Sequence, residues 1–201
     1  MPRKRGYHHG ELREALIAAT DAILRENGIE GFTLRDAARR ADVSPGAPAH
    51  HFGNASGLLT EVAILGYREL GRYLAAVPDS GTPTERMRAI AAAYVAFALD
   101  HPGRFRLMFR KDLINRSDPQ YETTSRQALV PLAEAAAQVS GTTLEALLKV
   151  QDLAPVFAAW STAHGIAHLA LEEKMQVALQ GNYDQDFRSR LLPEILKAQW
   201  P

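Results

Sequence analysis

The chain has 201 residues, 46% of them hydrophobic and 23% charged, with 23 basic side chains against 23 acidic ones. That length can bury a sizeable core in one or two domains, and the composition excludes an intrinsically disordered chain. The absence of cysteine excludes disulfides and thiolate metal sites, and a net charge of zero gives no general argument for a polyanionic partner.

The opening "MPRKRGYHHGELREALIAAT" lacks the apolar core and cleavage site of a signal peptide. No later run is apolar enough to span a bilayer, so a cytoplasmic location and no membrane partner are expected. Arg3, Lys4 and Arg5 form a basic cluster with no acid before Glu11. Such a cluster reads as a solvated end, with a nucleic-acid arm as the alternative.

Leu12, Leu16, Ala19, Ile23 and Leu24 recur at helical steps, and Gly28 should end that helix in a left-handed cap. Thr33 opens "TLRDAARRA" with Asp36 three residues on, a capping box with Asp in place of Glu. Asp42 suits a left-handed turn. Ser44 is placed to cap the next helix with Pro45 at its first position, and Pro48 should make that helix short. A longer helix runs from about Ala55 to Val77.

"PDSGTPT" at residues 78–84 is the clearest punctuation. Beyond it come "ERMRAIAAAYVAFALD", "PGRFRLMFR", "DPQYETTSRQALVPLAEAAAQVSG", "TTLEALLKVQDLAPVFAAWSTAHGIAHLALEE" and "DQDFRSRLLPEILKAQ", all helical by period and composition. Pro131 and Pro155 should kink their helices, since the apolar pattern continues past each. The fold class is all-α.

Two short helices joined by a tight turn suit a helix-turn-helix, whose second helix presents its N-terminal residues to the DNA major groove. An ordinary corner in a helical bundle has the same spacing. Beyond spacing, "LREALIAATDAILRENGIEGFTLRDAARRADVSPGAPAHHFGNASGLLTEV" resembles the DNA-binding head of the tetracycline-repressor (TetR) family of transcriptional regulators. "YHHGELREALIAAT", "HPGRFRLMF" and "WSTAHG" look like one branch, with a W-x-x-x-H-G signature in its C-terminal domain.

The resemblance implies a three-helix DNA-binding domain at residues 10–70, followed by a helical effector-binding and dimerisation domain at 78–201. It implies double-stranded DNA as partner, with Thr33 and Arg35 near phosphates. Ser44, Pro45, Gly46 and Ala47 would face the major groove, with His50 and His51 beside the backbone. The family usually has tyrosine at the position of Ala49 and lysine at that of Ala55, both on phosphates. Asn54, the histidines and the arm Arg3, Lys4 and Arg5 could replace part of what is lost. Reading by Pro45, Gly46 and Ala47 would rest on thymine methyls and DNA shape.

In the second half, Met87, Tyr94, Phe97, Phe105, Met108, Phe109, Tyr121, Trp160, His164 and His168 are either core or the lining of a small-molecule pocket. Trp160, His164 and His168 share one helical stripe, and the resemblance implies an effector pocket in this domain. His164-Gly165 could instead be a packing signature. His164, His168 and Glu172 span about 12 Å of helix, too far to share one ion, so no metal site and no cofactor are expected. The chain has no P-loop, G-x-G-x-x-G, G-x-S-x-G or H-E-x-x-H, so no enzyme is expected.

The resemblance also implies a homodimer through the last two long helices, with Leu191, Leu192, Ile195, Leu196 and Trp200 as apolar candidates. The resulting expectation is a ligand-responsive repressor acting on a palindromic operator. The alternative is a dimeric small-molecule-binding protein with a degenerate DNA-binding head.

Overall fold

Leu16, Ala19, Ile23 and Leu24 are buried, so the apolar stripe of the first segment is the inner face of α1 (His9–Asn27). The computed structural model describes residues 9–179 and 183–201, and contains no strand among them. Helix α1 stops at Gly28, whose φ of 66° is the left-handed conformation that glycine adopts without a Cβ clash. A 3₁₀ turn at Ile29–Gly31 leads to α2 (Leu34–Arg40), α3 (Ala47–Phe52) and the long α4 (Ala55–Ala75). Next come α5 (Pro83–Asp100), α6 (Pro102–Met108), α7 (Pro119–Ala128) and α8 (Val130–Val139). The order closes with α9 (Leu144–Lys149), α10 (Ala154–Leu171), α11 (Tyr183–Asp186) and, after a π turn at Phe187–Leu191, α12 (Leu192–Gln199).

The chain forms two compact units, and they interleave in sequence. Residues through Gly66 group with His101–Thr124, and Tyr67–Asp100 groups with Ser125–Pro201. The return of 101–124 to the first unit is built on two contacts. A Cβ at Gly103 would stand 2.6 Å from the Leu24 carbonyl oxygen, so only glycine lets α6 lie this close to α1. One residue on, Arg104 donates Nε and Nη2 to the two carboxylate oxygens of Asp21, each at 2.6 Å. These partners are 83 residues apart, a distance over which local periodicity carries no information.

In the second unit α5, α8 and α10 pack on one another, and α12 packs on α5. Met87, Tyr94, Phe97, Leu132, Ala163 and Phe187 are buried there. Thr82 and Glu85 form a reciprocal capping box at the start of α5. The Glu85 carboxylate accepts from Thr82 N at 2.8 Å, and the Thr82 hydroxyl accepts from Glu85 N at 3.2 Å.

Two expectations are corrected. Pro131 and Pro155 do not kink continuous helices; each lies in the first turn of a new one, α8 and α10. A proline there lacks only a donor that has no intrahelical partner anyway. Helix α9 ends before Pro155 in a Schellman closure: Asp152 N donates to Leu147 O, Gln151 N donates to Leu148 O, and Gln151 holds φ at 54°. Glutamine is an unusual residue for that conformation, so the sequence carried no stop signal.

Candidate nucleic-acid interface and aromatic cluster

The first short helix starts as its sequence requires. The Thr33 hydroxyl accepts from Asp36 N at 3.0 Å and donates to Asp36 Oδ2 at 2.7 Å. The hydrogen bond from Thr33, and then that from Arg39, hold the Asp36 carboxyl below its ordinary pKa. Helix α2 ends in a Schellman closure in which Val43 N donates to Ala38 O at 3.0 Å and Asp42 N to Arg39 O at 3.3 Å. Asp42 sits at φ 54°, in the left-handed place where glycine is the usual occupant. That single residue turns the chain from α2 into α3.

The start of α3 departs from expectation. Ser44 is not its cap: the helix begins at Ala47 after Gly46, and no side chain caps it. Were Ser44 the cap, its carbonyl would need the amide of residue 48, and Pro48 has none. The start therefore moves until Pro48 lies in the first turn, and the Ser44 carbonyl accepts from Ala47 N at 3.0 Å. Ser44, Pro45, Gly46, Ala49 and His50 are exposed, Ala47 is half-buried, and Pro48 is buried.

The other end of α3 is tied down. Arg13 lies over the Phe52 ring, 5.5 Å from its centroid, and forms an ion pair with Glu61 of α4. His51 is half-buried between its ring neighbours His50 and Phe52. Asn54 spends its Oδ1 on the start of α4, accepting from Gly57 N at 3.0 Å. Arg35 is exposed on α2. Arg3, Lys4 and Arg5 lie outside the described residues.

The ten aromatic, methionine and histidine positions do not gather at one place. Phe105, Met108, Phe109 and Tyr121 belong to the first unit. There the rings of Phe105 and Phe109 meet edge to face at 5.3 Å, and the Tyr121 hydroxyl donates to Met108 O at 3.3 Å. Met87, Tyr94, Phe97, Trp160, His164 and His168 belong to the second. Met87 and Phe97 are fully buried core, with Phe97 edge-on to Tyr73.

The remaining four form a hydrogen-bonded chain. Trp160 Nε1 donates to the Tyr94 hydroxyl oxygen at 3.2 Å, that hydroxyl stands 2.9 Å from His164 Nδ1, and His164 Nε2 stands 3.1 Å from His168 Nε2. An indole can only donate, so the Tyr94 oxygen accepts from Trp160 and its proton can go to His164 Nδ1. Burial, and then the neighbouring His168, bring the His164 pKa down to about 4, while burial pushes the Tyr94 hydroxyl far above its ordinary value. Tyr94 and His164 are thus a neutral polar pin between α5 and α10. A Cβ at Gly165 would meet nothing within 4 Å, so no neighbour among the described residues requires that glycine.

Comparison with known proteins agrees with this architecture. A family described as bacterial regulatory proteins, tetR family, matches residues 16–62, and one described as tetracyclin repressor-like, C-terminal domain, matches residues 87–191, more than half of the chain. The HTH-type transcriptional regulator BetI of Burkholderia thailandensis is 40% identical over 88 residues, or 41% of this chain and 44% of the relative. The chain thus spans less than half the length of the curated relatives it matches. A solved protein of unknown function from Rhodococcus sp. RHA1 is 27% identical with a TM-score of 0.71, covering 98% of this chain and 97% of that one. A TetR variant from Acinetobacter baumannii AYE, solved in complex with minocycline, has the same fold at 18% identity and a TM-score of 0.59, covering 96% and 93%. The chain belongs to the TetR family of bacterial regulatory proteins.

Proposed function

We propose that the protein is a DNA-binding transcriptional regulator, a ligand-responsive repressor that acts in the cytoplasm as a homodimer on a palindromic operator. The observation that carries the reading is the α2–turn–α3 unit, in which Ser44, Pro45 and Gly46 before α3 and His50 on it are exposed. A short helix with small residues at its exposed start suits close approach to the major groove, with Thr33 and Arg35 toward phosphates. A regulator of this kind has no catalytic step to perform.

The homodimer reading is supported by α10. Ala158, Ser161, Gly165, His168, Leu169 and Glu172 recur at helical steps, and all but the half-buried Gly165 are exposed. Gly165 leaves room there for a second backbone, and a mid-helix glycine costs about 1 kcal/mol relative to alanine. Leu192, Leu196 and Trp200 are buried within the chain, so the last segment would contribute through the half-buried Leu191 of the π turn and Ile195 of α12. An effector in the second unit would act by binding the DNA-incompetent conformation more tightly. The Acinetobacter relative holds minocycline on the same fold, which supports a small-molecule effector of some kind.

A second reading, a small-molecule-binding protein with a degenerate head, is favoured by Ala49, which is exposed and offers no group to a phosphate. Selection of fragmented genomic DNA on the purified protein at moderate salt separates the two. Enrichment of one palindrome supports the regulator. A folded dimer that enriches nothing supports the second reading.

A further inference from the structure

Helix α3 has six residues and no side-chain cap at its start, and Pro48 is the one buried residue it carries. A helix this short does not hold its own direction; its ends and neighbours set it. The C-terminal end is the fixed one. Gly53 turns the chain at φ 74°, and its N–H donates to Ala49 O at 2.9 Å. A Cβ at Gly57 would run into the Phe52 carbonyl oxygen, so only glycine lets the first turn of α4 lie against the end of α3.

The Phe52 side chain is held from another element. Arg13 of α1 places its guanidinium over the ring, 5.5 Å from the centroid, and pairs with Glu61 of α4. One half-buried side chain thus ties α1, α3 and α4 together, and its charge is answered inside the head by Glu61. A six-residue helix is about 9 Å long, so a tilt of about 15° at Phe52 moves its first residue by about 2 Å. A gap of about 0.5–1 Å already forfeits about a quarter to a half of a van der Waals contact, so apolar contacts to base edges would be lost. Attraction to phosphates acts over a Debye length of about 10 Å and would hardly change.

We propose that Arg13 is a positioning residue for DNA reading: it touches no DNA, fixes the direction of α3 through the Phe52 ring, and so sets sequence preference and leaves general affinity for a duplex alone. This role rests on the DNA-binding reading of the head, whereas the hold on α3 can be measured without DNA.

The test compares the unaltered full chain with three variants. Arg13→Gln with Glu61→Gln keeps the net charge, Phe52→Leu removes the ring with no change of charge, and Arg13→Lys keeps a cation for the ring and for Glu61. In anisotropy titrations at two salt concentrations, the double variant should lose about tenfold in affinity for the enriched palindrome. It should bind a scrambled duplex with unchanged affinity and salt slope. Phe52→Leu should reproduce the loss, and Arg13→Lys should recover most of it. Equal losses on both duplexes, with a salt slope lower by about 1 per chain, would overturn the proposal, because Arg13 would then be a phosphate contact. So would full palindrome affinity in both the folded double variant and Phe52→Leu. If the unaltered protein itself does not prefer the palindrome, the DNA-binding reading fails, and hydrogen exchange decides the role of Arg13 within the head. Faster exchange of the His50 and Gly53 amides in the double variant would support the hold on α3, and unchanged exchange would overturn it.

Discussion

The hydroxyl of Tyr94 stands 2.9 Å from Nδ1 of His164, and it takes the Trp160 indole N–H on its other side at 3.2 Å. Tyr94 is fully buried, so this oxygen satisfies two partners that would otherwise compete for water at the α5–α10 seam. Removing it with Tyr94→Phe leaves both partners without that oxygen. The expected cost is about 1–3 kcal/mol of unfolding free energy, read by urea denaturation at neutral pH.

Burial of His164, and then its neighbour His168, set a pH dependence. The folded His164 titrates at about 4, whereas an unfolded histidine titrates near 6.5. Between those values the unfolded chain binds a proton that the folded chain refuses, so stability falls as pH falls from 6.5 to 4. The full shift would correspond to about 3 kcal/mol; discounting for solvent at this half-buried ring leaves about 1–2 kcal/mol. Denaturation at several pH values should show His164→Gln lacking that part of the slope.

Asp42 gives the turn between α2 and α3 its hand. Asp42→Gly should be neutral or stabilising by up to about 1 kcal/mol, because glycine has no Cβ to strain at φ 54°. Asp42→Val, β-branched, should cost about 2 kcal/mol or more and lower the melting temperature measurably.

Gly165 separates packing inside the chain from pairing between chains. A Cβ there meets nothing within 4 Å, so Gly165→Ala should leave the helical circular-dichroism signal unchanged, and Gly165→Leu adds bulk where a second backbone would lie. If α10 pairs with its copy at this glycine, sedimentation velocity should show Gly165→Leu dissociating at concentrations where the unaltered protein is dimeric.

Ala49→Tyr and Ala55→Lys supply the groups that the family resemblance implies for phosphate contact at these positions. Each should tighten binding to the selected DNA, and Ala55→Lys should steepen the slope of log affinity against log salt by about 1 per chain. Fluorescence anisotropy across a salt series reads both.

Much of the head was legible because its signals are local. Gly28, Thr33 with Asp36, and Asp42 each act on the backbone within a few residues, and all three appear as expected. Ser44 misled because a good cap residue was overruled by a proline four positions on. The two helix breaks near 129 and 151 were hidden in continuous apolar patterns, one of them turned by a left-handed glutamine. The Tyr94–His164 contact joins residues 70 apart, and the Arg88–Trp200 contact joins residues 112 apart. Residue type put Tyr94 and His164 among the same candidates without pairing them; nothing in the sequence could have brought together the second couple.

The most direct test of the regulator reading is anisotropy titration of the enriched palindrome against a scrambled duplex of equal length, at two salt concentrations. The account predicts two chains per palindrome, a clear salt dependence, and affinity for the palindrome at least about a thousandfold above that for the scrambled duplex. Equal affinity for the two duplexes from a folded protein would contradict it.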